Sequence, residues 1–354
     1  MPSPDSSSDT TTALQPDDPT AESRKKDHIE LAFQSRVGAA ALDGRFYYEP
    51  LLAAHPHPDA WPSFDFLGHR LSTPMWVSSM TGGTALAGRI NQHLARLCAD
   101  LRMGMGLGSC RQLLYSREHL ADFDVREVLG PDLPLYANLG VAQVEQLIDS
   151  GEAADRIPAL LDLLRADGLI VHVNPLQEAM QPEGDRFRQS PLATLERLLA
   201  LLPIRLIVKE VGQGMGPASL RALLQLPLEA IEFAAAGGTN FARLELLRAS
   251  PAKQEVFGKI AAVGHTAVEM LDFVREARAE LGERCQVRHL ILSGGVEDFL
   301  DGYYLLSKSP LPAVYGQASA FLRHARGEYH DLYAYASAQL RGLELAQAFL
   351  RARW

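Results

Sequence analysis

Residues 135–173 read LYANLGVAQVEQLIDSGEAADRIPALLDLLRADGLIVHV, and this stretch decides the fold. It begins with an apolar run, Leu135–Leu139, and ends with a second run, Leu169–Val173. Between them, Val141–Ala166 carries apolar residues at spacings of three and four, which is typical of an amphipathic helix. Two continuous apolar strands joined by a helical segment predict a parallel βα unit that is covered on both faces.

The same alternation of apolar runs and helical patterns extends from residue 75 to residue 320. The length of this stretch is close to the ~250 residues that are typical of a TIM barrel. The other strand-like runs are Met75–Met80, Met103–Leu107, Leu206–Val211, Ile231–Ala235, His289–Leu292 and Ala313–Tyr315. Eight runs of this kind predict an α/β fold, a (β/α)₈ TIM barrel, with a doubly wound open sheet as the competing architecture. The stretch 243–250 reads as a helix, and 256–265 reads as either a ninth short element or a loop.

The flanks of the barrel have a different composition. Residues 1–23 are rich in Ser, Thr, Pro and Asp, so we expect a disordered acidic tail that cannot bury enough surface to fold. Residues 24–74 are predicted to form an N-terminal arm or lid. Residues 75–354 are predicted to form the barrel, closed by one or two C-terminal helices after Phe321.

The overall charge and the cysteines exclude several classes of protein. With 34 Lys and Arg against 43 Asp and Glu, the net charge is −9 and no basic block is present, so no nucleic-acid partner is expected. Three scattered cysteines disfavour a disulfide framework or a structural zinc site and favour a reducing cytoplasm. No apolar run approaches the roughly 20 residues that span a bilayer, and the N-terminus lacks the apolar core of a signal peptide. We therefore expect a soluble cytoplasmic protein without a membrane partner.

Small residues follow the predicted strands, at the end of a barrel where chemistry takes place. The relevant stretches are Ser78–Gly83, Gly104–Arg111, Gly237–Thr239, Ser293–Gly295 and Gly316–Ser319. Glycines allow close approach of the backbone to a ligand, and the loops after strands seven and eight form the usual phosphate site of such barrels. A phosphorylated small molecule is therefore the predicted ligand.

The fourth run ends in a polar block, His172–Glu178, that reads HVNPLQE. A strand period of two places His172 and Asn174 on one face, toward the mouth of the barrel. Burying so many polar groups is costly unless they bind something, although a lone histidine is usually structural. Lys209 ends the fifth run and needs an anionic partner, which is either a ligand or an internal carboxylate. Arg111 is either an anion ligand or a surface residue.

Several of these motifs together resemble the FMN-dependent type 2 isopentenyl diphosphate isomerases. The resemblance covers roughly residues 24 to 325, in order. It rests on RKKDH at 24–28, SSMTGG at 78–83, the 103–111 stretch, ANLG at 137–140, HVNPLQEAMQPEG at 172–184, VKEVG at 208–212 and GGTNF at 237–241. It implies an isomerase of isoprenoid biosynthesis, assembled as a tetramer or octamer, that interconverts isopentenyl and dimethylallyl diphosphate by a proton shift. Reduced FMN, Mg²⁺ and NADPH as the reductant of the flavin are the implied cofactors.

The resemblance also implies roles for individual residues. The implied FMN contacts are Ser79, Met80, Thr81, Ser109, Asn138, Lys209, Thr239, Gly294, Gly295, Ala318 and Ser319. The implied substrate contacts are Arg24, Lys25, Ser109, Arg111, His172 and Gln177, and the implied catalytic residues are His172, Asn174 and Gln177. Glu178 would bind Mg²⁺, a hard cation that prefers oxygen ligands.

Two positions depart from the family pattern. Cys110 stands where the family usually has Gln, and Val296-Glu297-Asp298 follows the glycine pair where many members carry an Arg. A phosphate contact in that loop would then come from the backbone. Two other classes stay open: an FMN-barrel oxidoreductase such as a 2-hydroxy-acid oxidase or a dehydrogenase with a reactive Cys, and a degenerate paralogue that only binds flavin or phosphate.

Overall fold

The computed structural model describes residues 20–57, 60–79 and 81–353. These residues separate into two compact units, 20–46 and 47–353. Most of the predicted tail, residues 1–19, and the predicted FMN contact Met80 lie outside the described residues. The first unit contains an exposed helix that begins at Ala21, within the last residues of that tail, and ends at Leu31.

The second unit is built around a closed barrel of eight parallel strands, which confirms the predicted fold. The strands of the chain are β1 (Phe46–Tyr48), β2 (Phe64–Phe66), β3 (His69–Leu71), β4 (Met75–Val77), β5 (Gly104–Gly106), β6 (Leu135–Gly140), β7 (Gly168–His172), β8 (Leu206–Lys209), β9 (Ala230–Glu232), β10 (His289–Ser293), β11 (Ala313–Gln317) and β12 (Leu350–Ala352). The barrel runs β4 to β11 in chain order, and β11 pairs with β4 to close it. Each barrel strand matches one of the eight predicted runs.

Helices follow the barrel strands and cover the outer face of the sheet. Numbering the exposed helix of the first unit as α1 (Ala21–Leu31), the helices of the second unit are α2 (Ala85–Leu101), α3 (Leu120–Phe123), α4 (Arg126–Leu129), α5 (Val141–Asp149), α6 (Ala153–Leu164), α7 (Pro175–Met180), α8 (Pro191–Leu201), α9 (Pro217–Leu223), α10 (Phe241–Leu247), α11 (Pro251–Ala261), α12 (Ala267–Leu281), α13 (Phe299–Lys308), α14 (Ser319–Ala325) and α15 (Tyr329–Phe349). The predicted closing helices are α14 and α15. Within the described residues, no helix is long and apolar enough to cross a bilayer.

The structure divides one predicted helical stretch in two and defines the stretch that the sequence left ambiguous. The pattern at 141–166 divides into α5 and α6 because Gly151 adopts a φ of +77°, which interrupts the helix. The stretch at 256–265 is the end of α11 followed by a loop, so no ninth barrel strand exists there. Ser250 caps α11 by accepting a hydrogen bond from the amide of Lys253.

The amino-terminal mouth of the barrel is covered by the β2–β3 hairpin. Phe66 and Leu67 at its tip are fully buried, and Phe66 packs edge-on against Trp76 with ring centroids 6.3 Å apart. Arg205, which precedes β8, donates to the carbonyl oxygen of Leu67. The hairpin fills one end of the barrel, so the carboxyl ends of the strands are left to form a site.

Candidate active site

A cavity of about 630 Å³ lies at the carboxyl ends of the barrel strands. This volume falls within the range of about 300–1,000 Å³ that is usual for small-molecule sites. Its wall comes from the loops after β4, β8, β9, β10 and β11, which are neighbours around the barrel. The site therefore occupies the position that barrel architecture predicts.

Two glycine pairs form one wall of this cavity. Gly294 and Gly295 have φ values of +89° and +71°, and a Cβ on Gly294 would lie 2.1 Å from the carbonyl oxygen of Ala235. A Cβ on Gly237 would lie 3.0 Å from the Cα of Gly295. The loops after β9 and β10 thus pack backbone against backbone, which only glycine permits. Their peptide groups are left close to whatever occupies the cavity.

The acidic residues after Gly295 have a structural role. Asp298 caps α13 by accepting hydrogen bonds from the amides of Leu300 and Asp301, in a capping box. The loop after Gly295 has no arginine, but a helix supplies one to the same cavity. Arg323, on α14, lines the same cavity together with Ser319, one helical turn earlier.

Several buried polar atoms in the cavity have no hydrogen-bond partner among the described residues. They are Ser78 Oγ, Ser79 Oγ, Glu232 Oε2, Gln317 Oε1 and Gln339 Oε1. Buried polar groups in proteins are nearly always paired, so a cluster of unpaired ones marks a place where a polar ligand binds. The chemistry of the set, with hydroxyls, amides and a carboxylate, suits a ligand rich in hydroxyl and amide groups.

Lys209 provides the buried cation of the cavity. Its backbone pairs with His172 on β7 and with Glu232 on β9, and its side chain is only 6% exposed. The Nζ atom donates to the carbonyl oxygen of Glu210 at 2.8 Å, and Lys209 forms no ion pair within the described part of the chain. Of the two predicted partners, an internal carboxylate is therefore not used, and the ammonium charge is available to an anionic ligand.

Glu210 is the neighbouring carboxylate, and it shapes the turn after β8. Its Oε2 accepts hydrogen bonds from the amides of Gly212, Gln213 and Gly214 at 2.6–2.9 Å. Burial raises the pKa of this carboxyl, while these amides act in the opposite direction. Its structural role in the turn explains why Glu210 does not pair with Lys209.

His172 is held as a neutral imidazole. Burial, followed by the positive charge of Lys209, lowers its pKa to about 3. Its Nδ1 lies 2.7 Å from Asn138 Oδ1, and the Nδ2 of Asn138 donates to the carbonyl oxygen of Leu107 at 3.0 Å. Since this amide orientation leaves Oδ1 as the acceptor, Nδ1 carries the proton and Nε2 is the unprotonated nitrogen.

The rest of the polar block departs from the predicted strand geometry. β7 ends at His172, and Asn174 precedes α7 with φ −135° and ψ 48°, so the two residues do not share a strand face. Pro175 begins α7 and ends the strand, since proline cannot extend the ladder. Asn174 Nδ2 instead donates to Gln177 Oε1 at 3.1 Å and to Glu178 Oε1 at 2.8 Å.

Glu178 is the predicted magnesium ligand and is almost fully buried. Its Oε2 accepts hydrogen bonds from the amide of Asp185 at 2.7 Å and from Gln181 Nε2 at 3.2 Å. The amide of Asn174, whose Nδ2 donates to Glu178 Oε1, has its Oδ1 buried without a partner among the described residues. No cluster of three His, Cys, Asp or Glu side chains that could hold a metal occurs within the described ranges. One carboxylate with a free amide oxygen fits Mg²⁺, which keeps several waters and takes phosphate oxygens.

The predicted residues fall into four groups. Those that line the cavity are Ser79, Lys209, Thr239, Gly294, Gly295, Ala318 and Ser319. The second group comprises two hydrogen-bonded sets on β6 and β7 and at the start of α7: Asn138 with His172, and Asn174 with Gln177 and Glu178. Thr81, Ser109 and Arg111 follow β4 and β5 outside the cavity wall, and Ser109 is exposed. Arg24 and Lys25 lie on α1, in the other unit.

The residues at the site that were not predicted from the sequence include three Asp, Glu or Arg side chains. Glu232 and Arg323 line the cavity, and Asp185 binds Arg111 beside it. A carboxylate inside the apolar run at 230–235 was a usable signal for Glu232, because a buried charge in a strand needs a purpose. Arg323 and Asp185 lie on a helix and a loop without a strand pattern, so only the tertiary structure places them.

Cys110 does not have the environment of a reactive thiol. It is fully buried, and burial raises its pKa to about 12. Nucleophilic cysteines need an accessible thiolate, and this thiol is neither accessible nor ionised near neutral pH. The barrel dehydrogenases that depend on a reactive cysteine are therefore not supported by this residue.

Several known proteins of similar sequence share one name. The isopentenyl-diphosphate delta-isomerase of Rickettsia felis is 33% identical over 307 residues, covering 85% of each chain. That of a Nostoc species is 36% identical over 290 residues, covering 80% of this chain and 79% of the other. That of Stutzerimonas stutzeri is 33% identical over 329 residues, covering 92% and 91%. No family model matches the chain.

Known structures of similar fold are much more distant in sequence. The flavin-binding domain of baker's yeast flavocytochrome b2 superposes with a TM-score of 0.55 at 14% identity, covering 86% of this chain and 71% of the other. A mandelate oxidase variant with 2-hydroxy-phenylacetamide gives 0.54 at 14% identity, covering 88% and 87%. At this identity they show the barrel fold alone. On the evidence of its sequence relatives and its barrel, the chain belongs to the isopentenyl-diphosphate delta-isomerase family, in the type 2 group that its motifs resemble.

Proposed function

We propose that the chain interconverts isopentenyl diphosphate and dimethylallyl diphosphate by a 1,3-proton shift, with FMN bound in the cavity, NADPH as its reductant and Mg²⁺ at Glu178. The relatives are named for this reaction, and the chain aligns with them over most of their length. One observation carries the proposal: the cavity with its buried Lys209 and glycine pairs adjoins the block from His172 to Glu178 at the same end of the barrel. A flavin and a diphosphate would therefore be held side by side.

The cavity has the features that FMN requires. Peptide groups at Gly294, Gly295 and Ser319 would face the phosphate, and the buried Lys209 would oppose negative charge on the ring system. Two atoms without a partner among the described residues, Ser79 Oγ and Gln317 Oε1, would form hydrogen bonds with the cofactor. When bound and reduced, FMN supplies an electron-rich surface and a nitrogen that exchanges protons, which suits protonation of a weakly basic alkene.

The block after β7 would hold the substrate. Gln177 and Asn174, linked by a hydrogen bond, would lie beside the reacting carbons, and Glu178 would bind a Mg²⁺ that bridges to the diphosphate. Arg111 is placed by Asp185 and would contact the diphosphate with Ser109. Arg24 and Lys25 remain predicted diphosphate contacts from the resemblance, and a tetramer or octamer remains the predicted assembly.

Neutral His172 would accept a hydrogen bond at the substrate site and would not bind an anion. Because Nδ1 donates to Asn138, its Nε2 has a lone pair and no proton to offer a phosphate. It can accept a hydrogen bond from a water or from a protonated diphosphate oxygen. A low pKa also keeps a second positive charge away from Lys209.

The deciding experiment is an anaerobic incubation with FMN, NADPH, Mg²⁺ and isopentenyl diphosphate. We expect the dimethylallyl isomer to form at equilibrium ratio, with NADPH consumed only to reduce the flavin. Purified protein should also be yellow, with the absorbance of FMN. A colourless protein that cannot be reconstituted would refute the flavin, and consumption of NADPH in proportion to substrate would indicate an oxidoreductase instead.

A further inference from the structure

Glu232 contributes a buried carboxylate to the cavity, and the proposed function gives this residue no role. It ends β9, is fully buried and lines the cavity beside Lys209 and Ser293. Its Oε1 accepts a hydrogen bond from Ser293 Oγ at 3.2 Å, while its Oε2 has no partner among the described residues. An ionised carboxylate accepts several hydrogen bonds, and leaving a buried oxygen without any is costly.

The position of this carboxylate is fixed by its neighbours. Ser293 Oγ accepts a hydrogen bond from the amide of Ala234 at 2.9 Å, so its single proton is directed at Glu232. Ala234 has a φ of +43°, a left-handed conformation that is strained for a residue with a side chain. Such strain persists where the surroundings enforce it, and here it orients the amide toward Ser293.

Glu232 also lies between the two parts of the cavity that the proposed function assigns. Lys209, which would face the ring system, is on β8, and Gly294 with Gly295, which would face the phosphate, follow β10. β9 lies between these strands, and Glu232 pairs in register with Lys209. In FMN the ring system and the phosphate are joined by the ribityl chain, whose hydroxyls are hydrogen-bond donors.

We propose that Glu232 binds the cofactor by accepting a hydrogen bond from a ribityl hydroxyl. This inference rests on the proposed function, since it requires FMN in the cavity. Lys209 forms no ion pair with Glu232 among the described residues, and its ammonium donates instead to the carbonyl oxygen of Glu210. A hydroxyl donor satisfies the free oxygen without bringing further charge into the cavity.

The test measures FMN affinity rather than turnover. Flavin-free wild type, Glu232→Gln and Glu232→Leu are titrated with FMN by fluorescence quenching, and again with the 2′-, 3′- and 4′-deoxy analogues. We expect the dissociation constant for FMN to rise about 10-fold with Gln and up to about 100-fold with Leu, as for loss of a charge-assisted hydrogen bond. With at least one analogue, wild type and both variants should bind alike, within about twofold.

A matched control separates this role from a general effect of removing a buried carboxylate. Glu344 is 2% exposed, accepts a hydrogen bond from the amide of Ala60 and pairs with Arg341, away from the cavity. Glu344→Gln should bind FMN as wild type does, and thermal unfolding of each flavin-free variant checks that it is folded. If Glu232→Leu does not fold, the Gln variant and the analogues still decide.

The outcomes distinguish this inference from the proposed function. Equal FMN affinity in wild type and the Glu232 variants, or a full loss that persists with all three analogues, overturns the role of Glu232. A wild type that binds no FMN overturns the proposed function and this role together. A wild type that binds FMN through Glu232 but does not isomerise the substrate overturns the proposed reaction alone.

Discussion

The carboxylate of Asp185 accepts a hydrogen bond from Arg111 Nη1 at 3.0 Å. The two residues are 74 positions apart, and Gln143 and Gln146 donate to the same carboxylate at 2.9 and 3.0 Å. The amide of Asp185 donates to Glu178 Oε2. Asp185 thus orients both Arg111, the cation predicted to bind the diphosphate, and Glu178, the predicted magnesium ligand.

Asp185→Asn should weaken substrate binding more than it slows turnover. The substitution keeps the shape but removes the charge that orients Arg111, so we expect KM for isopentenyl diphosphate to rise about 10-fold and kcat to change less than threefold. Arg111 is about half exposed, so the ion pair itself contributes under about 1 kcal/mol to stability and the variant should fold.

Asp149→Asn is the matched control for Asp185. Asp149, at the end of α5, accepts a hydrogen bond from Arg197 at 2.8 Å and contacts neither Arg111 nor Glu178 among the described residues, so its loss should leave KM unchanged. Steady-state kinetics at saturating Mg²⁺ make the comparison. An unaltered KM in Asp185→Asn would show that Arg111 does not need this partner to bind the diphosphate.

Glu178→Gln should separate metal dependence from flavin binding. The amide cannot supply the anionic oxygen that Mg²⁺ prefers, so we expect the Mg²⁺ concentration for half-maximal rate to rise at least about 10-fold. Glu178 lies outside the cavity wall, so FMN absorbance should be retained. A magnesium titration of the rate checks this, and an unchanged titration curve would remove Glu178 from the metal site.

The barrel was predictable from the sequence because its strands are buried on both faces and read as continuous apolar runs. The cavity was partly predictable, since Gly237, Gly294 and Gly295 follow such runs and the glycine requirement is local. Asn174 was misplaced because β7 ends at His172, two residues earlier than a strand that includes Asn174 would require, and Pro175 begins α7. Asp185 and Arg323 were missed because their roles depend on contacts distant in the chain.

The neutral state of His172 predicts a pH dependence of stability. Its folded pKa of about 3 lies below its ordinary value of 6.5, so the unfolded chain binds a proton that the folded chain does not between these values. The free energy of unfolding should therefore fall as pH drops below 6.5, by up to about 1.4 kcal/mol per pH unit from this residue.

Denaturant unfolding at pH 7, 6 and 5 measures this effect in wild type and His172→Asn. Other groups titrate alike in the two proteins, so the difference between their slopes isolates His172. We expect the variant to lose less stability on acidification. Parallel curves would show that His172 binds protons equally in the folded and unfolded states, so its pKa would not be lowered by folding.

The position of Arg323 in the cavity predicts that the affinity for FMN depends on the phosphate group of the flavin. It lines the cavity from α14, one turn after Ser319, in a chain whose loop after Gly295 has no basic residue. Arg323→Ala should raise the dissociation constant for FMN about 10-fold and leave that for riboflavin unchanged, because riboflavin has no phosphate. The loss should shrink at high salt, since Arg323 is exposed. Arg326→Ala is the control, because this exposed arginine follows α14 outside the cavity.

The two flavins separate a phosphate contact from a structural effect of the Arg323 substitution. If Arg323→Ala binds FMN as tightly as wild type, backbone amides alone hold the phosphate. If the substitution weakens riboflavin binding as much as FMN binding, the effect comes from disturbance of α14.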